Sequence, residues 1–384
     1  MTSSNRQPLV GFVMEQTLGH VTYAQNLARA LAYESTISPV WIPVSYASDS
    51  AVDRLPGVRS NWALRGSSKA FLQIRSHPDR RHLDALFLHT QTIALSGALL
   101  GRRIPSIVSL DATPINYDSV GVHYGHHSQP DSAGEALKRR IYRRVFREAA
   151  GLTTWSDWAK RSLGDDYGVD PERVVVVRPG IDLSLFDFGC QPCPCREEPR
   201  LKVLFVGGDF ERKGGALLLD CLRGGLAEEC ELHIVTRSPV AEGPGVHVYR
   251  DLGPNDPRLL SLYRDADVFA LPTYADCLAV VLGEAMASGL PIVTTDVGAQ
   301  REAVIDGESG IIVKSGDAAG LGRALRRLVA DAELRRRMGI RGRSLAEEQF
   351  DVRKNAARLA AVIRQGIERW HRARLPEALP AGAA

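Results

Sequence analysis

The chain has 384 residues, 44% hydrophobic and 24% charged, the composition of a soluble globular protein long enough for two to three domains of about 150 residues each. Lys plus Arg number 48 against 45 Asp plus Glu, a net charge of +3, which gives no broad electrostatic ground for nucleic-acid binding. No apolar run approaches the ~18 residues of a membrane span. No secretory apolar stretch follows Met1, and six cysteines are too few for a disulfide scaffold, so a reducing cytoplasm is the expected compartment.

In chain order, short segments rich in Val, Ile and Leu occur at Leu9–Val13, Val40–Val44, Ala85–Leu88, Ser106–Leu110 and Val174–Val177. After a break they recur at Val203–Val206, Leu232–Val235, Val246–Tyr249, Val268–Leu271, Ile292–Thr294 and Ile311–Val313. They are apolar throughout rather than alternating, which suits strands buried on both faces of a parallel sheet. Helical spacing lies between them, as in Ala24, Leu27, Ala28 and Leu31, and in Leu321, Ala324, Leu325 and Leu328. Alternating strand and helix signals over two stretches predict an α/β protein with two Rossmann-like, doubly wound domains facing across a cleft.

The first domain is expected over residues 1–182 and the second over 200–350. The segment 183–199 lacks periodicity, contains three prolines, and reads as a linker. An amphipathic helix is expected from Val352 to Trp370, within a C-terminal segment of 351–374, before a Pro/Ala-rich tail of 375–384. Residues 137–147 carry Leu137, Ile141, Tyr142, Val145 and Phe146 as an apolar stripe opposite six cations. Such a helix either lies on an anionic membrane or packs on the first sheet with a solvated basic face. Asp118–Gly134, with His123, His126 and His127, reads as a loop. Cys190, Cys193 and Cys195 lack an adjacent fourth ligand, so no zinc site is assigned to them.

Chemistry concentrates in two places. In Phe205-Val206-Gly207-Gly208-Asp209-Phe210-Glu211-Arg212-Lys213-Gly214-Gly215 a strand ends, glycines open a turn, and two cations precede a helix start. This is either a diphosphate cradle, with free N–H groups and the charge of Lys213, or a solvated Arg-Lys turn. It matches neither the dinucleotide fingerprint nor the P-loop, which disfavours a dehydrogenase. In the second, Asp276 sits on a loop after Val268–Leu271, and Glu284 in the following helix. Two carboxylates so placed can hold polyol hydroxyls, or can serve as an N-cap and a solvated face.

Together these stretches resemble the retaining glycosyltransferases of family 4, with the GT-B fold. Lys213-Gly214 and Glu284-Ala285-Met286-Ala287-Ser288-Gly289-Leu290-Pro291 match the family's Lys-Gly element and its Glu-x7-Glu passage. Ser156 to Lys160, Tyr167 to Val169, Val177 to Asp182, Gly298 to Glu302 and Asp306 to Val313 resemble further family segments in the right order. The match is dense over about residues 151–350 and sparse before them, where Leu18-Gly19-His20 carries it.

The resemblance implies a nucleotide diphosphate sugar (a UDP- or GDP-sugar) as co-substrate, no cofactor and no metal. Lys213, helped by Arg212, would neutralise the diphosphate. Gly207 and Gly208 would flank it, with Gly19 packing from the other domain. Asp276 would hold a donor sugar hydroxyl and Glu284 the ribose, while the backbone of Leu278, Ala279 and Val280 approaches sugar and phosphate. Base contacts would fall around Thr236-Arg237 and Arg250–Gly253. His20, Asp111 and Tyr117 would line the acceptor side, Asp111 standing where many members carry a histidine beside the reacting carbon. The acceptor would be a saccharide or a lipid-linked hydroxyl, the latter fitting peripheral membrane contact through 137–147. The C-terminal helix would cross back to the first domain. Asp265-Ala266-Asp267 resembles a metal motif of another glycosyltransferase class and is read as a turn. Three departures stand out: Gly208 replaces an arginine, Asp276 a glutamate and Asp111 a histidine. They keep a weakly active sugar-nucleotide-binding or regulatory protein in view, beside a nucleotide-sugar epimerase on the same scaffold.

Overall fold

The computed structural model describes residues 6–17, 19–46, 61–100, 103–124, 132–188 and 200–374. Its first sheet contains β1 (Leu9–Glu15), β2 (Ser38–Val44), β3 (Ala85–His89), β4 (Ser106–Leu110), β5 (Gly151–Thr154) and β6 (Val174–Val176) in the order β2-β1-β3-β4-β5-β6. The second contains β7 (Leu201–Val206), β8 (Cys230–Val235), β9 (Val246–Tyr249), β10 (Val268–Leu271), β11 (Ile292–Thr295) and β12 (Gly310–Val313), ordered β12-β11-β10-β7-β8-β9. Every strand pairing is parallel. Helices cover both sheets, and the central strands β3, β10 and β11 are buried at every position, which is why their sequences are apolar without alternation.

Each sheet has one point where the strand order reverses, and open parallel sheets bind ligands outside the carboxyl ends of the strands there. In the first sheet it lies between β1 and β3, and in the second between β7 and β10.

The sequence reading differs in several places. It passed over β5, because Gly151-Leu152-Thr153-Thr154 holds one strongly apolar residue; the strand is nonetheless buried throughout between β4 and β6. It stopped β3 and β1 short of His89 and Glu15, two buried polar residues. The start of the expected linker is packed: Leu183–Phe186 form a helical turn capped by Asp182, with Phe186 buried. Residues 189–199, including the three linker cysteines, and 375–384 lie outside the described residues, as do His126 and His127.

The basic helix spans Ala133–Glu148, and its expected apolar stripe divides. Tyr142, Val145 and Phe146 are buried, whereas Leu137 and Ile141 are exposed among the arginines. At 3.6 residues per turn, Leu137 and Ile141 turn away from the side that Phe146 anchors to the sheet. No helix among the described residues is long and apolar enough to cross a membrane.

The last helix, Val352–Arg372, leaves the second unit and packs on the first, where Gly366 approaches the Ala150 carbonyl and Ile107. The two chain crossings between the units lie side by side. The Ile181 N–H donates to the Phe350 carbonyl (2.6 Å) and the Val352 N–H to that of Ile181 (3.0 Å). Gly180 permits this contact, since a Cβ there would stand 2.5 Å from the Val352 Cα. Two further contacts join the units. The Glu302 carboxylate accepts the N–H groups of Asp157 (2.7 Å) and Trp158 (2.6 Å), capping the helix Asp157–Asp165, with Arg178 at 3.5 Å. The Asn255 side-chain amide donates to Asn26 Oδ1 at 3.0 Å, from a left-handed backbone conformation.

Candidate active site

The loop after β7 and the loop after β10 meet at the reversal point of the second sheet. Lys213 reaches across to Asp276, and its Nζ and the Asp276 Oδ2 form a close ion pair, nearly buried. Burial pulls the Lys213 ammonium down from its usual value, with Asp276 opposing. Arg212 is turned elsewhere. Its Nη1 donates to the Ala275 carbonyl (2.6 Å) and its Nε to Asp209 (3.1 Å), so in this structure it braces the loop that carries Asp276. Gly214 adopts φ 77°, and a Cβ there would lie 2.0 Å from the Pro272 carbonyl oxygen. Only glycine lets the two loops close on each other. Gly207 packs on the Lys213 stem, whereas Gly208 faces open space.

The helix Val280–Ala287 follows this loop with no side-chain cap, and its Leu282 N–H donates to the Ala279 carbonyl at 3.0 Å. The side chains of Leu278, Ala279 and Val280 are buried, and the Ala279 N–H donates to Gln300 Oε1 at 3.4 Å. Glu284, one turn in, is buried and accepts the Tyr263 hydroxyl at 2.7 Å. Burial pushes its carboxyl up, and the Tyr263 hydrogen bond pulls partly back. Asp267, the expected turn residue, accepts the Lys202 N–H at 2.8 Å.

The first domain presents its own reversal point to this face. Gly19 opens the helix Gly19–Leu31 against Val280, whose Cγ2 would lie 3.3 Å from a Cβ at position 19. His20 follows. Its Nδ1 lies 3.1 Å from His89 Nε2, and its Nε2 3.7 Å from Asp111 Oδ2. His89, at the end of β3, is held on its other side by Ser109 Oγ at 3.1 Å. The rings of Tyr23 and Trp155 pack on His89, and Trp155 also packs on His20. Burial lowers His89 well below the usual histidine value, so it stays neutral and acts as a fixed hydrogen-bonding partner. Burial raises the Asp111 carboxyl, and His20 opposes it.

Tyr117 lies on the helix Pro114–Val120, where burial pushes its phenol up to about 12, with Cys277 and Asp111 adding to the shift. The Cys277 thiol is buried and raised, first by its burial and then by Asp111 and Asp276. His123 stacks on Tyr274, ring centroids 5.3 Å apart.

Residues that the sequence reading did not single out complete this side. Glu15 ends β1, buried, and accepts the hydroxyls of Thr17 (2.9 Å), Thr92 (2.8 Å) and Thr90. His89 and Glu15 carried one usable signal: a titratable residue directly after an apolar strand, at a sheet's reversal point.

Comparison with known proteins accords with this arrangement. The family described as Glycosyltransferase Family 4 matches residues 18–185, and Glycosyl transferases group 1 matches residues 200–331. A D-inositol 3-phosphate glycosyltransferase of Geodermatophilus obscurus is 34% identical over 214 residues, 50% of this chain and 48% of the relative. An MMP alpha-(1->4)-mannosyltransferase of Mycolicibacterium hassiacum is 32% identical over 250 residues, 61% of this chain and 60% of the relative. The chain thus spans about half to three fifths of the length of these curated relatives. Among solved structures, sucrose-phosphate synthase from Thermosynechococcus elongatus superposes with a TM-score of 0.72 at 18% identity, covering 94% of this chain and 99% of that one. HepE of Anabaena, in complex with UDP and glucose, gives 0.66 at 15% identity, covering 93% and 100%. At those identities the structures speak for the fold alone, and that fold is GT-B. The two family matches run through both halves of this scaffold, and the chain belongs to glycosyltransferase family 4, the group 1 glycosyl transferases.

Proposed function

We propose that this protein transfers a hexose from a UDP- or GDP-sugar to a hydroxyl acceptor, with retention at the anomeric carbon and without a metal ion. The observation that carries the reading is the meeting of two reversal points: Lys213 and Asp276 on one side, His20 and Asp111 on the other, with Gly19 packed on Val280 between them. The Lys213–Asp276 pair occupies the space that a donor would divide. On binding, the ammonium turns to the diphosphate and Asp276 accepts a sugar hydroxyl. Glu284 accepts ribose hydroxyls with the oxygen that Tyr263 leaves open. The N–H groups around Leu278–Val280 and the Gly19 backbone close on the sugar and phosphate.

In the transfer, the bond from the anomeric carbon to the diphosphate oxygen breaks, and the acceptor oxygen bonds to that carbon on the same face. The acceptor proton passes to the departing phosphate oxygen. Negative charge grows on the diphosphate, and Lys213 stabilises it in a cleft that excludes water. His20, Asp111 and Tyr117 orient the acceptor.

The names of the curated relatives, an inositol phosphate glycosyltransferase and a mannosyltransferase, support a polyhydroxylated acceptor; the setting we propose for it is cell-surface glycan or glycolipid synthesis. The protein acts in the cytoplasm in this reading. Leu137 and Ile141, exposed beside Arg140 and Arg144, give it a face for an anionic inner membrane surface.

Calorimetric titration with UDP, GDP, ADP and their common sugar conjugates in EDTA tests the donor assignment. Binding of a UDP or GDP species is the expected result, and failure of all of them removes it. The anomeric configuration of the product, read by NMR, decides retention. Flotation with anionic liposomes decides the membrane contact.

A further inference from the structure

Away from the cleft, the far edge of the second sheet carries a cluster that the transfer reaction does not use. Glu231 and His233 lie two residues apart on β8 and therefore on one face. His247, on the edge strand β9, is the direct register partner of His233. The His233 and His247 rings stack with centroids 4.8 Å apart. Glu231 Oε1 lies 2.9 Å from His233 Nε2, and Oε2 lies 3.8 Å from His247 Nε2. One ligand atom from each residue falls within 4.8 Å of the other two.

We infer that Glu231, His233 and His247 form a binding site for a zinc-class divalent cation that clips β9 to β8. Two imidazoles and one carboxylate are the donors that zinc and its neighbours take, with water completing the tetrahedron. Bonds of about 2.0–2.2 Å put tetrahedral ligand atoms ~3.3 Å apart, so the present spacing closes around an ion with side-chain adjustments alone. Two features argue for a built site. All three ligands stand on adjacent paired strands, which fixes their backbones more rigidly than loops would. The Tyr249 hydroxyl lies 3.1 Å from His233 Nδ1, so that nitrogen has an outer partner and Nε2 is directed at the cluster, the arrangement that orients a ligating histidine. Entry is open through His247, whose side chain is 49% exposed. The Lys202 ammonium, 4.0 Å from Glu231 Oε1, competes for the carboxylate, which sets the expected affinity in the micromolar range rather than lower.

The test uses the tag-free full chain with zinc ion alone, in competition with a chromophoric chelator. One equivalent should bind in the wild type, and its affinity should fall at least tenfold in both His247→Ala and Glu231→Gln. Far-UV circular dichroism confirms that these variants are folded; Glu231→Gln keeps the shape of the side chain, and His247 lies at an exposed edge. Zinc at about a hundred times its Kd should raise the wild-type Tm by about 5–10 °C, and leave His247→Ala unmoved. The thiols of Cys190, Cys193 and Cys195 are the rival ligands, so a Cys190→Ser/Cys193→Ser/Cys195→Ser variant should still bind the equivalent. Wild-type affinity in His247→Ala and Glu231→Gln, or loss of binding in the triple-serine variant alone, overturns the inference.

Discussion

Lys213→Met removes one charge of the pair at the centre of the donor site. Both side chains are nearly dry, 13% and 11% exposed, and truncating one partner of a buried ion pair costs about 3–5 kcal/mol because the other charge is stranded. The pair opens onto the cleft, and the Thr273 hydroxyl stays 3.4 Å from Asp276 Oδ2. These bring the loss below that range, to about 2–3 kcal/mol. At ~2–4 °C per kcal/mol for a unit of this size, the variant should melt about 4–12 °C below wild type. Asp276→Asn should fall less far, because the Lys213 ammonium, already drawn down by burial, can shed its proton. The double variant strands no charge and should regain at least about 1.5 kcal/mol of the summed losses. Thermal unfolding of the four proteins by circular dichroism, free of nucleotide and at one pH and salt, measures the coupling. Losses additive to within about 0.5 kcal/mol would refute the pairing. The double variant also separates stability from chemistry. It should stay folded while turnover falls by about 10²–10³, since no cation meets the departing diphosphate; undiminished turnover would refute the role of the lysine.

Glu284 should make nucleotide binding pH-dependent. Its carboxyl is raised by burial and its anion accepts ribose hydroxyls, so affinity should weaken as pH falls through that raised value, with a flatter profile in Glu284→Gln; calorimetry between pH 8 and 5 decides it. Stability runs oppositely. A raised acid favours the protonated folded state, so the Glu284 contribution is full below the unfolded carboxyl value of about 4.3 and is lost as pH rises through the folded one. Melting curves of wild type against Glu284→Gln should therefore converge toward acid. Gly208→Arg enters open space and adds a cation at the phosphate, so the diphosphate Kd should tighten about tenfold, the worth of one charge-assisted hydrogen bond; a Kd no better than wild type contradicts the placement. His89→Phe keeps the ring stacking but frees His20 Nδ1 and Ser109 Oγ. It should lower kcat about tenfold with donor KM unchanged and shift the pH–rate profile, while His89→Gln recovers part of the loss; a change confined to Tm would make His89 merely structural.

Much of the fold is legible in the sequence. Apolar runs such as Val268–Leu271 coincide with strands, because a parallel strand buried on both faces leaves little else in its sequence. The helix start expected at the glycine pair after Lys213 is also present, with Gly214 capping the helix Gly215–Arg223. What escaped was set by tertiary neighbours. Gly151–Thr154 is a strand because β4 and β6 flank it. Arg212 and Lys213 are adjacent cations, yet the Ala275 carbonyl takes one and Asp276 the other. Glu302 stood out within a family-like segment, but its place on the N-terminus of the helix Asp157–Asp165 depends on residues 145 and 144 positions away. His89 was passed over because strand patterns are read from apolar residues, and it is the polar residue that ends the run.

The paired crossings at Ile181 and Phe350–Val352 bear on how such a cleft can move. A single covalent tether would leave the second unit three rotational freedoms. Two strands fastened side by side by backbone hydrogen bonds behave like a strap with one compliant axis, along which opening carries Lys213 and Asp276 away from His20 and Asp111. Glu302 then acts as a latch on that single coordinate. Its carboxylate leaves two helix N–H groups and Arg178 only if the units swing apart. A donor and acceptor that bridge the cleft therefore need only bias one angle, and the reacting atoms return to the same registry in each cycle.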